Sequence, residues 1–311
     1  SAYSRMGHAK ATIKHSIIMA RTVQQGFDEL LRRLAPLESE HLKAAKHKMT
    51  VFSCLKKNFD CYKLLETGSF GNGTGVRHYS DTDYFAVCRA KALPKNSAYT
   101  LTRFRDELRY TFHATEAIRV DTPAVRIEFG NYASENLEIA PTYYHGMTDT
   151  PWGSKPYYSI PDFDGSWMSV SPDAHNTYVK KHDLRLNGKL KPLIQLLKAW
   201  KYYNNADILS FYIELRTTKY AENEKYIDYP EDFKRILNHL NNNDLASMQD
   251  PMGVSGLVYA CNTTAKKIAA LNKVQSDLAR VEKAIEANIK GNVDEAFRLW
   301  NVIFNNKYPA R

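Results

Sequence analysis

Apolar residues recur at helical intervals from about Ala9 to Leu34 and again from about Glu38 to Asn58, with Pro36 as the break between the two runs. Two long amphipathic helices are predicted there, and Cys61 to Glu66 reads as the end of the second. The pattern then changes period. Tyr84 to Val87 and Asn136 to Ala140 read as strands, and so does Ala124 to Phe129, where Val125, Ile127 and Phe129 alternate with polar residues. Thr100 to Ala117 has a helical pattern between the first two strands. Pro141 to Val170, rich in Pro, Gly, Trp and Tyr, reads as an irregular connection. Beyond it the chain becomes helical: Leu190 to Tyr203, with Pro192 in the first turn, then Ser210 to Tyr220, Tyr229 to Leu240 and Val254 to Ile303, with a loop at Asp250-Pro251. The sum is an α+β layout in which a mixed sheet backed by helices (6–170, including the N-terminal helices) precedes a helical lobe (171–311).

Gly68-Ser69-Phe70-Gly71-Asn72-Gly73-Thr74-Gly75 lies shortly before Asp81-Thr82-Asp83. On a strand, side chains at i and i+2 share a face, so Asp81 and Asp83 converge while Thr82 points away. Two carboxylates so placed repel unless cations bridge them. Hard divalent ions take carboxylate and phosphate oxygens together, and a pair of such ions can hold the attacking and leaving oxygens of a phosphoryl transfer. Glycines let backbone N–H groups approach a phosphate, and Ser69 adds a hydroxyl donor. An Asp-x-Asp alone occurs on many solvated strand edges, and Gly with Asn and Ser is an ordinary turn. The two in this order point to metal-dependent nucleotide chemistry.

The whole chain of 311 residues, 43% hydrophobic, is long enough for one large domain or two lobes. No apolar run of membrane-spanning length and no signal-peptide pattern is seen, so a soluble, cytoplasmic protein without membrane association is expected. Cys54, Cys61, Cys88 and Cys261 are scattered, without the clustering of a zinc site. The formal net charge of +9 favours polyanionic partners, but the basic residues are spread over several helices, as solvated helix faces are.

Gly68-Ser69 through Asp81-Thr82-Asp83 resembles the signature of the oligoadenylate synthetase and cyclic GMP-AMP synthase superfamily. Lys189 to Trp200 (KLKPLIQLLKAW) is similar to the helix this family places after its catalytic lobe, and Leu209 to Leu215 (LSFYIEL) matches a third block. The resemblance spans roughly Leu64 to Tyr220. It implies a polymerase-β-like nucleotidyltransferase lobe with a mixed sheet, a helical second lobe, and an active site in the cleft between them. It also implies two Mg²⁺ ions, or Mn²⁺ in their place, on Asp81, Asp83 and a third carboxylate. By position Glu138 in Leu137-Glu138-Ile139-Ala140-Pro141 is that third ligand, where the family usually has aspartate; Glu128 and Asp121 are competitors. The triphosphate would be held by Gly68, Ser69, Lys198 and Ser210, with Gln195 where the synthetases often have arginine, and Phe211 would stack on the base.

The resemblance further implies nucleoside triphosphates, ATP first, as substrates for a cyclic di- or trinucleotide second messenger. The chain lacks a cysteine-rich zinc thumb and a continuous basic stripe. A bacterial-type member is therefore expected, needing no obligatory nucleic-acid activator and signalling to a separate effector in antiphage defence. A linear oligoadenylate synthetase, an RNA-tailing enzyme and a catalytically dead sensor share parts of the same pattern, though intact Asp81 and Asp83 argue against the last.

Overall fold

The computed structural model describes residues 21–35, 38–68, 72–77, 79, 82–129 and 135–311. The N-terminal part of the first predicted helix, residues 9–20, lies outside these. The described helix α1, Val23–Leu34, begins where Thr22 accepts a hydrogen bond from the Gln25 backbone and the Gln25 side chain answers the Thr22 backbone, a capping box. Helix α2 spans Glu38–Phe59, and Asp60, at φ 52°, turns the chain out of it.

Beyond Asp60 the chain forms a strand rather than the end of that helix: β1, Cys61–Thr67, pairs antiparallel with β2, Thr82–Cys88. The glycine segment therefore joins two strands, whereas its sequence reads as a helix-to-strand connection. In Cys61 to Glu66 the polar residues are too few to show a strand period, and only pairing with β2 distinguishes it from a helix turn. Helix α3 (Ser97–Thr111), capped by the Asn96 side chain, leads to the hairpin β3 (Ile118–Asp121) and β4 (Ala124–Phe129).

The second correction concerns Pro141 to Val170. Strand β5 runs from Glu135 to Thr150, and β6 (Gly153–Pro161) and β7 (Trp167–Val170) complete a seven-stranded sheet. Its main order is β1-β2-β5-β4-β3, and β6 and β7 extend from the far half of β5. Only β2 and β5 run parallel; the other pairs are antiparallel, so the sheet is mixed. The Pro, Gly and aromatic residues that read as irregular are accommodated by register shifts, as between Tyr144 and Gly146.

The helical lobe holds α4 (Pro172–Arg185), α5 (Leu190–Tyr203), α6 (Ser210–Ala221), α7 (Tyr229–Asn242), α8 (Thr264–Ile289) and α9 (Val293–Ile303), with a small ribbon of β8 (Met248–Gln249) and β9 (Leu257–Val258). Two main cores result. In one, Val51, Leu55 and Phe59 of α2 and Leu101, Phe104 and Leu108 of α3 cover the apolar face of the sheet. In the other, Trp200, Phe233, Trp300 and Phe304 pack among the helices. Each fully buried Leu or Phe contributes roughly 1.5–3 kcal/mol. Helix α1, which precedes the sheet in the chain, buries Phe27, Leu30 and Leu34 in the helical core, so the packing boundary does not follow the chain at residue 170. Among the described residues no helix is long and apolar enough to cross a membrane.

Candidate active site

Alternation along the central strands separates two faces. Thr82 and Tyr84 of β2, Leu137 and Ile139 of β5, and Val125 and Ile127 of β4 are buried, while Asp83, Glu138, Arg126 and Glu128 are only half-buried on the opposite face. Register then lines these polar residues up. Asp83 is the cross-strand partner of Thr67 on β1 and of Glu138 on β5, Glu138 is the partner of Arg126, and Arg126 is the partner of Arg119 on β3. A single row across five strands therefore reads Thr67, Asp83, Glu138, Arg126, Arg119.

Within that row the competing third carboxylates separate. Glu138 stands directly beside Asp83, and the Arg126 guanidinium lies 3.4 Å from its Oε1. Glu128 is one strand further away and faces two arginines, Arg119 at 2.6 Å and Arg126 at 3.1 Å. Asp121 sits exposed at the hairpin turn of β3. Asp81 and Ser69 lie outside the described residues. Among the described residues no three His, Cys, Asp or Glu gather as a metal-ligand set.

Gly68, at φ +70°, ends β1 against Asp83, and a Cβ there would collide with the Asp83 carboxylate. The glycine therefore has two local duties: the left-handed backbone, and room for a carboxylate packed against the chain. Further along the segment the polar residues turn toward the helices. Gln195 Nε2 donates to the Gly75 carbonyl at 2.8 Å, and Thr74 Oγ1 donates to Glu214 Oε2 at 2.7 Å. The Asn72 amide donates to the other Glu214 oxygen.

Lys198 joins this group. Its ammonium donates to Glu214 Oε2 at 2.5 Å and to Thr74 Oγ1 at 2.9 Å, and the side chain is 2% exposed. Burial opposes the charge on Glu214, but the Lys198 ammonium and the hydrogen bonds from Lys198, Thr74 and Asn72 outweigh it and hold the carboxyl below its ordinary value. These four residues form a closed, neutral strut between the glycine segment and α5 and α6.

One turn further on, Lys201 has other company. Its ammonium donates to Ser210 Oγ at 3.0 Å, the Tyr202 hydroxyl shares that oxygen at 2.9 Å, and the charge sits 4.5 Å over the Tyr202 ring. Tyr202 stacks at 5.1 Å on Tyr79, which belongs to the connection between the glycine segment and β2. Burial, and then the neighbouring Lys198 charge, push the Lys201 ammonium down to about 8, while Asp207, Cys261 and Glu138 pull the other way. Ser210 thus meets Lys201 and Tyr202 at the first residue of α6, where the free N–H groups and dipole of the helix favour an anion.

Phe211, next on α6, is 38% exposed, and its ring meets the His175 imidazole edge-on at 5.0 Å. His175 is held by Asp250 at 2.9 Å, and Asp250 accepts N–H bonds from Met252, Val254 and Ser255. Burial works against the Asp250 charge, yet His175 and those N–H groups bring its pKa down to about 2. The Asp250-Pro251 loop thereby braces the aromatic platform.

The sequence-predicted residues Asp83 and Glu138 are thus brought together, as are Ser210 and Phe211, while Lys198 faces inward to Glu214. Lys201, Glu214 and His175 contact these residues and are missed by the sequence reading. For Glu214 a signal is there: a lone acid in the apolar run Phe-Tyr-Ile-Glu-Leu.

No protein-family model matches the chain. It is 24% identical to a probable cyclic nucleotide synthase of Bacillus cereus, over 94% of this chain and 99% of that one. It is also 24% identical to a cyclic AMP-AMP-AMP synthase of an Acinetobacter species, over 49% of this chain and 47% of the relative. Among solved structures, CdnC of E. coli with ATP superimposes with a TM-score of 0.67 at 18% identity, covering 92% of this chain and 98% of that one. The cyclic AMP-GMP synthase DncV of Vibrio cholerae, with a linear intermediate, gives 0.60 at 12% identity, covering 91% and 86%. The two-lobed fold is therefore that of these synthases, and the chain has a similar sequence along nearly its whole length in the probable cyclic nucleotide synthase.

Proposed function

We propose that the protein is a metal-dependent nucleotidyltransferase that joins nucleoside triphosphates into a cyclic di- or trinucleotide and releases pyrophosphate. The observation that carries this reading is the row in which Asp83 and Glu138 stand side by side on the polar face of the sheet, against Gly68. ATP is the first substrate to test, because a relative of about half the chain is named a cyclic AMP-AMP-AMP synthase and a structural neighbour is a complex with ATP.

Asp83 and Glu138 supply hard oxygen donors on one face, which fits Mg²⁺, and the Asp81-Thr82-Asp83 sequence offers Asp81 as a further donor. When bound, such ions stabilise the charge that develops on the phosphate and lower the pKa of the attacking ribose hydroxyl. The chain's own part is to place the substrates. Ser210 at the start of α6 and Ser69 offer hydroxyls to the phosphates, and Phe211, set by His175, offers a face to the base. Arg126 sets the direction of the Glu138 carboxylate. A role in antiphage signalling, through a separate effector that reads the product, belongs to the same proposal, as does a cytoplasmic location without an obligatory nucleic-acid trigger.

The test is incubation with Mg²⁺ and an equal mixture of ATP, GTP, CTP and UTP, then phosphatase treatment and mass spectrometry. A phosphatase-resistant cyclic product is expected. A product with removable terminal phosphates would establish the linear synthetase reading instead, and no product from any mixture or with Mn²⁺ would overturn the enzyme reading.

A further inference from the structure

Cys61 opens β1 and Cys88 closes β2, and the antiparallel register makes them direct partners across the ribbon. Facing residues of such a pair have Cα atoms about 4.5–5.5 Å apart, inside the range that a disulfide spans. Both are free thiols, both are buried, and they stand within hydrogen-bonding reach of each other. The other two cysteines have different company. Cys54 rests on Asn58, Thr111 and the Glu107 carbonyl, and Cys261 lies among Asp207, Lys201, Lys266 and Lys267.

We propose that Cys61 and Cys88 form a peroxide-oxidisable dithiol, a modification site that closes to a reversible disulfide and staples β1 to β2 behind the contact between Gly68 and Asp83. The chemistry does not depend on the reaction that the carboxylate row performs.

The two sulfurs are unequal. The Cys88 thiol, as hydrogen-bond partner, favours the Cys61 thiolate and lowers its pKa, against the opposing effects of burial and of Asp60. The same contact, with burial, pushes the Cys88 thiol up. Cys61 is therefore the nucleophile and Cys88 the resolving thiol. The Cys61 thiolate attacks one oxygen of hydrogen peroxide and the O–O bond breaks; with one proton taken up, water leaves and Cys61 becomes a sulfenic acid. The Cys88 sulfur then attacks the Cys61 sulfur. The S–O bond breaks, the S–S bond forms, and the departing hydroxide leaves as a second water with the proton that Cys88 gives up. Two electrons pass from the pair of sulfurs to one peroxide.

Position sets which oxidant fits. A buried thiol is screened from bulky reagents, but this pair lies at an irregular end of the ribbon. Asp60 just before it has φ 52°, and the register shifts between Cys61 and Lys63. Such ends open more readily than the middle of a sheet, which admits a molecule the size of peroxide and excludes a peptide such as glutathione. The ring so closed contains the whole glycine segment and Asp81-Thr82-Asp83. Oxidation therefore restricts the unfolded chain and restrains the ribbon that holds Gly68 against Asp83.

The experiment treats the full chain, reduced and freed of reductant, with hydrogen peroxide, then unfolds it under alkylation and digests it for mass spectrometry. A linked peptide pair holding Cys61 and Cys88, about 2 Da lighter than the two free peptides, is expected, with Cys54 and Cys261 alkylated. Dithiothreitol should restore both thiols. The oxidised chain should melt about 5 °C higher, and amide exchange over 61–67 and 82–88 should slow. Cys88→Ser should leave Cys61 as a sulfenic acid that dimedone traps, with no rise in melting temperature. Alkylation at all four cysteines after peroxide, or pairing with Cys54, Cys261 or a second chain, would overturn the dithiol. A Cys61–Cys88 bond that alters neither melting nor exchange would overturn the staple, and both readings come from the wild-type chain.

Discussion

Lys198 and Lys201 sit one helical turn apart on α5, both held by hydroxyls, and they differ in the anion that answers them. Glu214 forms an ion pair with the first, and no carboxylate among the described residues forms one with the second. At Lys198 the desolvation of a cation is offset by a desolvated anion, and three donors from Asn72, Thr74 and Lys198 itself complete the carboxylate. At Lys201 desolvation, joined by the Lys198 charge, outweighs the pull of Asp207, Cys261 and Glu138, and the ammonium becomes less basic. A closed pair serves architecture, because its charges are satisfied before any ligand arrives. An open cation is prepared for an anion. The comparison teaches that a matched helix delivers a lysine to a region of space, while the partner on the next helix decides what that lysine is free to do.

The largest effect tests the carboxylate side against both lysines. Glu138→Gln keeps shape and removes the charge beside Asp83, so turnover should fall by at least about 10²–10³-fold. Binding of α,β-methylene-ATP should stay close to wild type, since the phosphate grip lies on α5 and α6. Single-turnover assays with ATP and Mg²⁺ give the first quantity and calorimetry the second. Wild-type turnover would remove Glu138 from the reaction, and a parallel collapse of binding would show that the two sides of the site do not divide the work as the comparison requires.

The next effect bears on stability. Glu214→Ala leaves the Lys198 ammonium buried without its anion, and a loss of about 3–5 kcal/mol in urea unfolding is expected. Lys201→Gln removes a cation that the fold does not compensate, so its unfolding free energy should change little or rise. If both substitutions cost the same, the contrast between a closed and an open lysine has no energetic basis.

How much of this is visible in the chain depends on the reach of each interaction. The run from Ala124 to Phe129 and the helices at Leu190 and Ser210 are legible because amphipathic period is local, and the described bounds of Ala124–Phe129 and Leu190–Tyr203 are those of the pattern. Asp83 and Glu138 are legible as chemistry, though their adjacency is set by a parallel β2/β5 register that joins residues 55 apart. The strands from Pro141 to Val170 are hidden because prolines and glycines there are absorbed by bulges and by neighbouring strands, which no local pattern reports. The Lys198 strut is hidden for a stronger reason. Its carboxylate comes from the next helix and its hydroxyl and amide from a segment more than a hundred residues earlier, so no window of sequence contains the set.

The last test uses proton concentration to separate the two lysines without disturbing the fold. Lys201 faces Lys198 on its own helix, Ser210 at the start of α6, and the titratable groups Asp207, Cys261 and Glu138 from neighbouring segments, and it loses its proton at about 8 in the free protein. A terminal phosphate sheds its last proton near pH ~6, below that window, and burial pushes the Cys261 thiol above its usual range and so beyond it. The protonated lysine is the form that grips phosphate. Affinity for α,β-methylene-ATP should therefore be constant below about pH 8. Above it, affinity should weaken by up to about tenfold per pH unit, until the higher pKa of the occupied site is passed. Lys201→Arg should abolish the decline, because a guanidinium keeps its charge throughout. A wild-type profile that stays flat to pH ~9, or one in which Lys201→Arg declines as the wild type does, would take the triphosphate away from Lys201 and leave the two lysines of α5 alike.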